Sequence, residues 1–222
     1  MRILAIEGAL ARCSAAVLAD GAVLAAALAD APRGQPALLP PMAARVLAEA
    51  GLSAAALDAV AVGVGPGGFT GLRAAIALAE GIARGAGRPL HGVTTGEALL
   101  AGLPPGMRAG RTVWAAIDNR RGRVVLEVFA PGQDVPGPPL VAALEALPPP
   151  AGPVLALGDA AEAVAAALVA RGDPAEARPG LPEAAALARL VASRLRAGIA
   201  LRGAAPLYAE PPAVTAPRPV PA

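Results

Sequence analysis

Apolar residues fill the start of the chain in three short runs separated by polar turns, a pattern that predicts strands. Residues 3–6 are uninterrupted apolar positions before Glu7, as expected for a strand buried on both faces. Residues 13–19 and 23–29 are the second and third runs, and the Asp-Gly pair between them favours a two-residue hairpin turn. The alanine content of the third run would also suit a helix, but its short length favours a strand. We therefore expect a three-stranded antiparallel meander.

Helical periodicity begins after a proline-rich connection. Pro40 and Pro41 can occupy the first turn of a helix that is expected to end near residue 50. One face of this helix carries the apolar residues Leu39, Met42, Val46 and Ala50. A short helical turn over 53–57 and a buried strand over 59–64 are expected to follow.

A glycine-rich loop follows that strand and leads into a helix expected over 72–85. Four glycines fall within seven residues, namely Gly65, Gly67, Gly68 and Gly71. Pro66 stiffens the turn between the first two, and Thr70 is placed to cap a helix that begins near Leu72. Such a loop can present backbone N–H groups to an anion, but it equally fits a tight turn whose glycines serve packing. Its spacing matches neither the dinucleotide-binding fingerprint nor the P-loop.

The helix over 72–85 has one moderately apolar face and one face of small residues. The small face consists of Ala74, Ala77, Gly81 and Gly85. Gly81 costs ~1 kcal/mol of helix propensity relative to alanine, so a close neighbour should compensate for it. That neighbour is either the sheet or a helix of a partner protein.

The chain then reaches a boundary between two lobes. A strand is expected over 90–93, and Thr94 and Glu97 have the spacing of a capping box at the start of the next helix. That helix is expected to end near residue 103, before the sequence Pro-Pro-Gly.

The second lobe is expected to repeat the order of the first, with strands followed by helices. Apolar patterns predict strands over 112–118, 123–129 and 154–157, and helices over 160–170 and 182–196. In the last helix, three arginines are expected to face mostly outward, namely Arg189, Arg194 and Arg196. Each lobe opens with a strand that ends in a carboxylate, Glu7 in the first and Asp118 in the second, which suggests an internal duplication.

Composition narrows the chemistry that the chain can perform. Hydrophobic residues make up 55% of the chain and aromatic residues 2%, so alanine, leucine and valine must build the core. The formal net charge is +2, and few aromatic rings are present for bases to stack on, which is weak support for direct RNA binding. A direct nucleic-acid site would rest on Arg108, Arg111, Arg120, Arg121 and Arg123, although a solvated arginine-rich face explains them more simply.

Cys13 and His91 are the only cysteine and the only histidine. No disulfide can form within the chain, and no cysteine–histidine zinc cluster is possible, so we expect no metal site. We interpret both residues as structural, with Cys13 a buried thiol. The N-terminus does not have the pattern of a signal peptide, and no apolar stretch is long enough to span a membrane, so a cytoplasmic protein is expected.

The string Gly65-Pro66-Gly67-Gly68-Phe69-Thr70-Gly71-Leu72-Arg73 closely resembles the GPGSFTGLR signature of the bacterial TsaB family, also called YeaZ. Gly68 replaces the usual serine. Four other segments resemble the family's sequence, namely residues 1–7, 57–63, 115–122 and 154–159. Residues 205–208 resemble the family's P-x-Y-L-R tail, with Ala209 and Glu210 in place of Leu and Arg, and Gln35 stands where a histidine is usual.

The resemblance implies an α/β actin-like ATPase fold, with two lobes of mixed sheet and flanking helices. We expect an N-terminal lobe over 1–103 and a C-terminal lobe over 104–202, whose last helix, 182–202, can pack back on the first lobe. A Pro-rich tail over 203–222 completes the chain. Glu7, Asp118 and Asp159 are candidates for a degenerate nucleotide site, since Glu7 replaces a shorter aspartate and Ala160 replaces a glycine of the family's "GDG" region.

The resemblance also implies a function. The family is a non-catalytic partner of the catalytic subunit TsaD and of the ATPase TsaE in making threonylcarbamoyladenosine (t6A) on tRNA. In that reading the chain holds no cofactor, ATP and magnesium are used by the complex, and a homodimer is possible. The expected interface or structural loop comprises Gly65, Pro66, Gly67, Phe69, Thr70, Gly71, Leu72, Arg73, Ala77 and Gly81.

Two enzymatic alternatives remain open from the residues. A small-molecule kinase or ATPase would use Glu7, Asp118, Asp159 and the glycine loop. A peptidase would have to use His91 as its base, since no other histidine exists.

Overall fold

Two five-stranded mixed sheets form the framework of the protein in a computed structural model, which describes residues 1–210. The final part of the expected Pro-rich tail, residues 211–222, lies outside the described residues. The first sheet consists of β1 (Arg2–Glu7), β2 (Arg12–Ala19), β3 (Ala22–Asp30), β4 (Ala59–Gly63) and β5 (Leu90–Val93), in the order β3-β2-β1-β4-β5. The second consists of β6 (Thr112–Asp118), β7 (Val124–Phe129), β8 (Leu140–Ala142), β9 (Val154–Gly158) and β10 (Ala175–Pro179), in the order β10-β9-β6-β7-β8.

Five α-helices flank these sheets in the described part of the chain. They are α1 (Gln35–Glu49), α2 (Phe69–Ala86), α3 (Thr95–Ala101), α4 (Ala161–Ala170) and α5 (Ala184–Arg196). Short 3-10 turns lie at Ala54–Ala56 and Leu144–Ala146. Within residues 1–210, no helix combines the length and the apolar character that crossing a membrane would require.

The two sheets have the same topology. In each, three strands form an antiparallel meander, a fourth strand pairs in parallel with the first strand of the meander, and a fifth pairs in parallel with the fourth. This repetition confirms the two-lobed α/β fold expected from the sequence and the duplication that the two carboxylate-ended strands suggested. It also brings the carboxyl ends of β1 and β6 to a cleft between the lobes.

The helices after β5 and β10 cross between the lobes. Helix α3 follows the first sheet but packs on the second, with Leu99 in the same core as Val113 and Leu155. Helix α5 follows the second sheet but packs on the first, with Leu187 in the same core as Ile3. The core of each lobe therefore includes a helix that follows the last strand of the other lobe.

Each crossing helix is fixed at its N-terminus by a polar side chain from the second strand of the sheet beneath it. Ser14 on β2 accepts a hydrogen bond from the N–H of Ala184 at 2.9 Å. Glu127 on β7 accepts one from the N–H of Gly96 at 2.6 Å. These bonds satisfy donors that the first turn of a helix leaves unpaired, so they hold the lobes in register.

The capping box at α3 is confirmed, but one of the three arginines expected to face outward is not exposed. Thr94 Oγ1 accepts from the Glu97 N–H, and Glu97 Oε2 accepts from the Thr94 N–H. Arg194 is buried, and its Nη1 lies 2.8 Å from Glu97 Oε1. Helical spacing alone could not reveal this pair, because α3 and α5 meet only through the crossing of the lobes.

The start of α1 was predicted wrongly, and two strands were missed. Helix α1 begins at Gln35 rather than at Pro40, because the buried Gln35 amide donates to the Ala31 and Leu10 carbonyls and fixes an earlier first turn. Pro40 and Pro41 therefore lie inside the helix. Strands β8 and β10 were not predicted, since both are short edge strands with exposed residues.

Candidate functional site

Helix α2 begins three residues earlier than its periodicity suggested. Strand β4 is buried throughout and ends at Gly63, and Gly68 occupies the N-cap position without a side-chain bond. The expected cap by Thr70 is therefore wrong, because Thr70 already lies exposed within the first turn. Leu72, by contrast, is fully buried and anchors the helix in the core of the first lobe.

The glycines of the loop serve close packing against the turn after β1. The Gly68 N–H donates to the Ala9 carbonyl at 2.6 Å. A Cβ added at Gly67 would lie 2.3 Å from the Ala9 oxygen, and one added at Gly71 would lie 2.3 Å from the Gly8 oxygen. Between the two readings left open by the sequence, these contacts favour packing, since the loop meets backbone where an anion would have to sit.

The other end of the loop is fixed by the start of α3. The Thr95 N–H donates to the Gly65 carbonyl at 2.9 Å, and Thr95 Oγ1 donates to the Pro66 carbonyl at 2.7 Å. Gly65 and Pro66 are buried. The loop is thus a fixed platform, and its exposed side chains are those of Phe69, Thr70 and Arg73 at the beginning of α2.

Glu7 does not face the cleft. The side chain is fully buried, and its Oε1 accepts from the Ala9 N–H at 2.6 Å. A Cβ added at Gly63 would lie 1.9 Å from Glu7 Oε2, so the carboxyl group fills the space that this glycine leaves. Burial raises the pKa of Glu7 to about 7. Glu7, one of the three candidate carboxylates for a nucleotide site, is therefore inside the protein and does not line the cleft.

Asp118 and Asp159 do line the cleft, which has a volume of about 710 Å³. The Asp118 N–H donates to Asp159 Oδ1 at 2.9 Å, and Arg120 lies 3.4 Å from Asp159 Oδ2 and 3.6 Å from Asp118 Oδ2. Burial raises the pKa of Asp159. The two carboxylates are therefore close together, as the sequence suggested, but one arginine already neutralises part of their charge.

The arginines proposed as a direct tRNA site are largely engaged with acidic partners. Arg108 contacts Asp134 at 2.7 Å, and Arg111 contacts Glu176 at 2.7 Å. Arg123 pairs with Glu210, and Arg120 pairs with the cleft carboxylates. Paired guanidinium groups are weak phosphate ligands, so these contacts do not support a basic tRNA-binding face on this chain alone.

Cys13 and His91 cannot form a nucleophile and base pair. They lie on β2 and β5, which are separated in the sheet by β1 and β4. Three strand spacings amount to about 14 Å, far beyond hydrogen-bond reach. Burial raises the pKa of Cys13 and lowers that of His91. Within residues 1–210, no three His, Cys, Asp or Glu side chains are grouped so that they could hold a metal ion.

The small-residue face of α2 is open to solvent. Ala77 and Gly81 are exposed, and a Cβ added at Gly81 would meet nothing within 4 Å. The sheet therefore does not compensate for the helix propensity that Gly81 loses. We call the exposed line of Thr70, Arg73, Ala77 and Gly81 the α2 face.

Residues 207–210, late in the described chain, line the cleft beside the α2 face. Tyr208 stacks on Phe69 with ring centroids 5.9 Å apart, and its hydroxyl accepts from Arg73 Nε at 2.7 Å. Neither contact was anticipated from the sequence, because the two residues that Tyr208 meets are 135 and 139 positions away. The sequence offered two signals, a lone tyrosine in the Pro-rich tail and the resemblance of residues 205–208 to the family's P-x-Y-L-R tail.

The sequence of the chain matches a known protein family. Residues 30–157, more than half of the chain, match the family model of TsaD, tRNA N6-adenosine threonylcarbamoyltransferase. The chain is 42% identical over 124 residues to the tRNA threonylcarbamoyladenosine biosynthesis protein TsaB of Escherichia coli, which covers 56% of this chain and 53% of that protein. An uncharacterized protein of Mycobacterium tuberculosis is 39% identical over 113 residues, 51% of each chain. The chain thus spans about half the length of the curated relatives it matches.

Solved structures extend the similarity over nearly the whole chain. YeaZ from Pseudomonas aeruginosa has a TM-score of 0.76 at 29% identity, covering 93% of this chain and 99% of its own. A structure described as an uncharacterized protein with similarity to peptidase YeaZ, from the same organism, has a TM-score of 0.79 at 28% identity, covering 94% and 99%. The ethanolamine utilization protein EutJ from Carboxydothermus hydrogenoformans shares the fold, with a TM-score of 0.51 at 14% identity over 85% of this chain and 89% of its own.

Proposed function

Because the chain belongs to the TsaB (YeaZ) family, within the wider family that the TsaD model describes, we propose that it is a non-catalytic docking subunit for the synthesis of t6A on tRNA. In this proposal it pairs with a TsaD-like catalytic subunit and works beside a TsaE-like ATPase. ATP and magnesium are used by the complex, and tRNA is the substrate of the complex rather than a ligand of this chain. The reaction takes place in the cytoplasm.

The observation that carries this proposal is the open α2 face. Gly81 weakens the helix and packs against nothing in the described chain, so its lack of a side chain has no use within the subunit. Small residues at Ala77 and Gly81 let a partner helix approach closely. The glycine loop fixes the start of this helix through its packing on Ala9 and Gly8, and so holds the face in a defined orientation.

The placement of the polar residues supports an accessory role. Glu7 is buried, Asp118 and Asp159 share Arg120, and Cys13 is several strands from His91. We propose accordingly that the catalytic residues reside in the partner. The division into lobes at 1–103 and 104–202 belongs to the same proposal, with α5 as the part of the second lobe that packs on the first.

Co-purification with the TsaD homologue of the same organism tests the docking surface. We expect Ala77→Arg and Gly81→Arg to weaken the association at least about tenfold, since a long charged side chain would hold the two surfaces apart. Val169→Arg is the matched control, because Val169 is an exposed apolar residue on α4 in the other lobe. Unchanged association of both α2 variants would reject this surface.

A second copy of the chain is an alternative occupant of the same face. If a homodimer uses the α2 face, Gly81→Arg should convert it to a monomer in light-scattering measurements, and the TsaD homologue should compete with it. A dimer that persists in this variant would use another surface.

A small-molecule kinase or ATPase remains the second candidate, and the cleft carboxylates Asp118 and Asp159 favour it. Titration calorimetry with Mg-ATP distinguishes the two functions. Tight binding by the isolated chain, lost in Asp159→Asn, would favour the kinase or ATPase over the docking subunit.

A further inference from the structure

Residues 202–210, which we call the clasp segment, run along the first lobe and end on the second. The Gly92 N–H donates to the Arg202 carbonyl at 2.9 Å, so the segment begins at the edge of the first sheet. The Leu207 N–H donates to the Val64 carbonyl at 2.7 Å, at the start of the glycine loop. The segment therefore follows the first lobe to the mouth of the cleft.

Tyr208 is held by two residues of the signature string. Its ring lies at 25° to that of Phe69, with centroids 5.9 Å apart, and the Arg73 guanidinium carbon lies 3.9 Å from the Phe69 centroid. Arg73 Nε also donates to the Tyr208 hydroxyl at 2.7 Å. The three side chains form a cation–aromatic stack in which each member contacts the other two.

Glu210 reaches the second lobe two residues later. Its Oε2 accepts from Asn119 Nδ2 at 3.0 Å, and its other oxygen pairs with Arg123. Asn119 is itself fixed, because its Oδ1 accepts from the backbone N–H groups of Arg121 and Arg123 at 2.9 and 3.1 Å. One short segment thus connects the glycine loop to the β6–β7 turn across the cleft.

Two glycines make room for the backbone of this segment. A Cβ added at Gly92 would lie 2.4 Å from the Gly203 oxygen. A Cβ added at Gly65 would lie 3.0 Å from the Leu207 oxygen, and Gly65 has a φ of +90°. The first lobe therefore has a backbone groove for the segment in addition to the side-chain stack.

We propose that Phe69, Arg73, Asn119 and Arg123 form a receptor for an extended segment carrying a tyrosine and, two residues later, a carboxylate. Residues 207–210 fill this receptor in the same chain and line one side of the cleft. Phe69 and Tyr208 remain 50% and 39% exposed, so the clasp opens by local release rather than by unfolding of either lobe. When open, it widens the cleft beside Asp118 and Asp159 and frees Arg73 at the end of the α2 face.

Hydrogen exchange of the full-length chain tests the receptor. We expect Tyr208→Ala to raise the exchange of amides in residues 64–73 and also in residues 119–124 by about tenfold, because the same segment contacts both lobes, through Tyr208 and through Glu210. Phe69→Ala should produce the same pattern, and the double variant should exchange no faster than either single variant. Arg84→Ala, on the exposed side of α2 away from the segment, is the control and should leave both regions unchanged.

Glu210→Gln tests the clasp segment at the end that contacts the second lobe. Glu210 contacts the second lobe, yet we expect its substitution to speed the exchange of the Leu207 amide, which bonds to the first lobe. The change lies outside the core of either lobe and does not threaten folding. Wild-type exchange at residues 119–124 in Tyr208→Ala, together with wild-type exchange at Leu207 in Glu210→Gln, would overturn the proposal. Additive effects in the Phe69 and Tyr208 double variant would also contradict it.

Discussion

Glycines only ten positions apart in this chain have opposite physical roles. Gly71 is needed because the Gly8 carbonyl occupies the space that a Cβ would take, at 2.3 Å. Gly81 has no neighbour within 4 Å of that space. The first glycine is required by the fold, whereas the second lowers helix propensity with no compensating contact in the described chain, which is the basis of the proposed docking role.

Alanine substitutions at these two glycines should have opposite signs. We expect Gly71→Ala to lower the free energy of unfolding by about 1–3 kcal/mol, because the loop must move away from Gly8. Gly81→Ala should raise it by ~1 kcal/mol through better helix propensity. Urea denaturation measures both, and a loss of stability in Gly81→Ala would contradict the open α2 face.

The buried carboxyl group of Glu7 makes folding sensitive to pH. Burial raises its pKa from 4.5 to about 7 in the folded chain. The folded state therefore keeps a proton that the unfolded state has released between these values. The contribution of the protonated Glu7 to stability is full below about pH 4.5, declines as the pH rises toward 7, and then levels off. Glu127, whose pKa burial also raises to about 7, acts in the same direction.

Glu7→Gln should remove one part of this pH dependence. Between pH 4.5 and 7.5, we expect the stability of the variant relative to the wild type to rise by about 3 kcal/mol, since each pKa unit corresponds to 1.36 kcal/mol. Chemical denaturation at a series of pH values measures the difference. Parallel pH profiles for the two proteins would show that Glu7 is not the titrating group.

The sequence located Glu7, Asp118 and Asp159 but not their orientations. All three end or follow a buried strand, which is a local property that residue patterns report. Which carboxylate faces the cleft depends on Gly63, whose missing side chain lets Glu7 turn inward, and on Arg120, which holds the other two. Gly63 lies on β4, far from Glu7 in sequence, and Asp159 meets Asp118 and Arg120 only because β9 pairs with β6, so spacing along the chain does not reveal these contacts.

At the scale of elements, local signals were reliable and distant contacts were not. The capping box of Thr94 and Glu97 was predictable because both partners lie within one turn. The start of α1 depends on the Gln35 amide meeting the Ala31 and Leu10 carbonyls, and the start of α2 depends on the loop packing on Ala9. Both starts were therefore misplaced by the sequence pattern.

The crossing of α3 and α5 is the contact that unites the lobes. Arg194 on α5 lies 2.8 Å from Glu97 on α3, and its Nη2 donates to the Asp134 carbonyl at 2.9 Å. Both charged side chains are buried. A buried ion pair of this kind adds little to stability overall, but removing one partner leaves the other charge without compensation.

Arg194→Leu should therefore be strongly destabilising. We expect a loss of about 3–5 kcal/mol in the free energy of unfolding, because Glu97 would remain buried and unpaired. Arg196→Leu, two residues later and exposed, should change stability by no more than about 0.5 kcal/mol. Thermal and urea unfolding of the two variants provide the comparison, and equal effects would contradict the buried pair.

At the scale of the whole molecule, duplication accounts for both the cleft and the exposed position of the α2 face. Two sheets of the same topology exchange their last helices, which leaves α1 and α2 on the outside of the first lobe and the carboxylates between the lobes. The fold class and the signature string could be predicted from sequence because they depend on runs of neighbouring residues. The clasp could not, because Tyr208 meets Phe69 and Arg73 from the opposite end of the chain.

The proposed function separates these two surfaces. In these proposals the α2 face binds the catalytic partner and the clasp controls the cleft, and Arg73 belongs to both surfaces. A charge at Gly81 should therefore disturb assembly without loosening the clasp, whereas Tyr208→Ala should loosen the clasp and leave Ala77 and Gly81 free to dock.

Reconstituted synthesis of t6A tests the central claim most directly. The reaction combines tRNA, its small substrates and the TsaD and TsaE homologues of the same organism with the wild-type chain, with Gly81→Arg or with Val169→Arg, below the dissociation constant of the wild-type complex. We predict that t6A forms with the wild type and Val169→Arg and falls about tenfold or more with Gly81→Arg, which corresponds to ~1.4 kcal/mol of lost docking energy. Equal t6A formation with Gly81→Arg and the wild type, or with no chain added, would contradict the account.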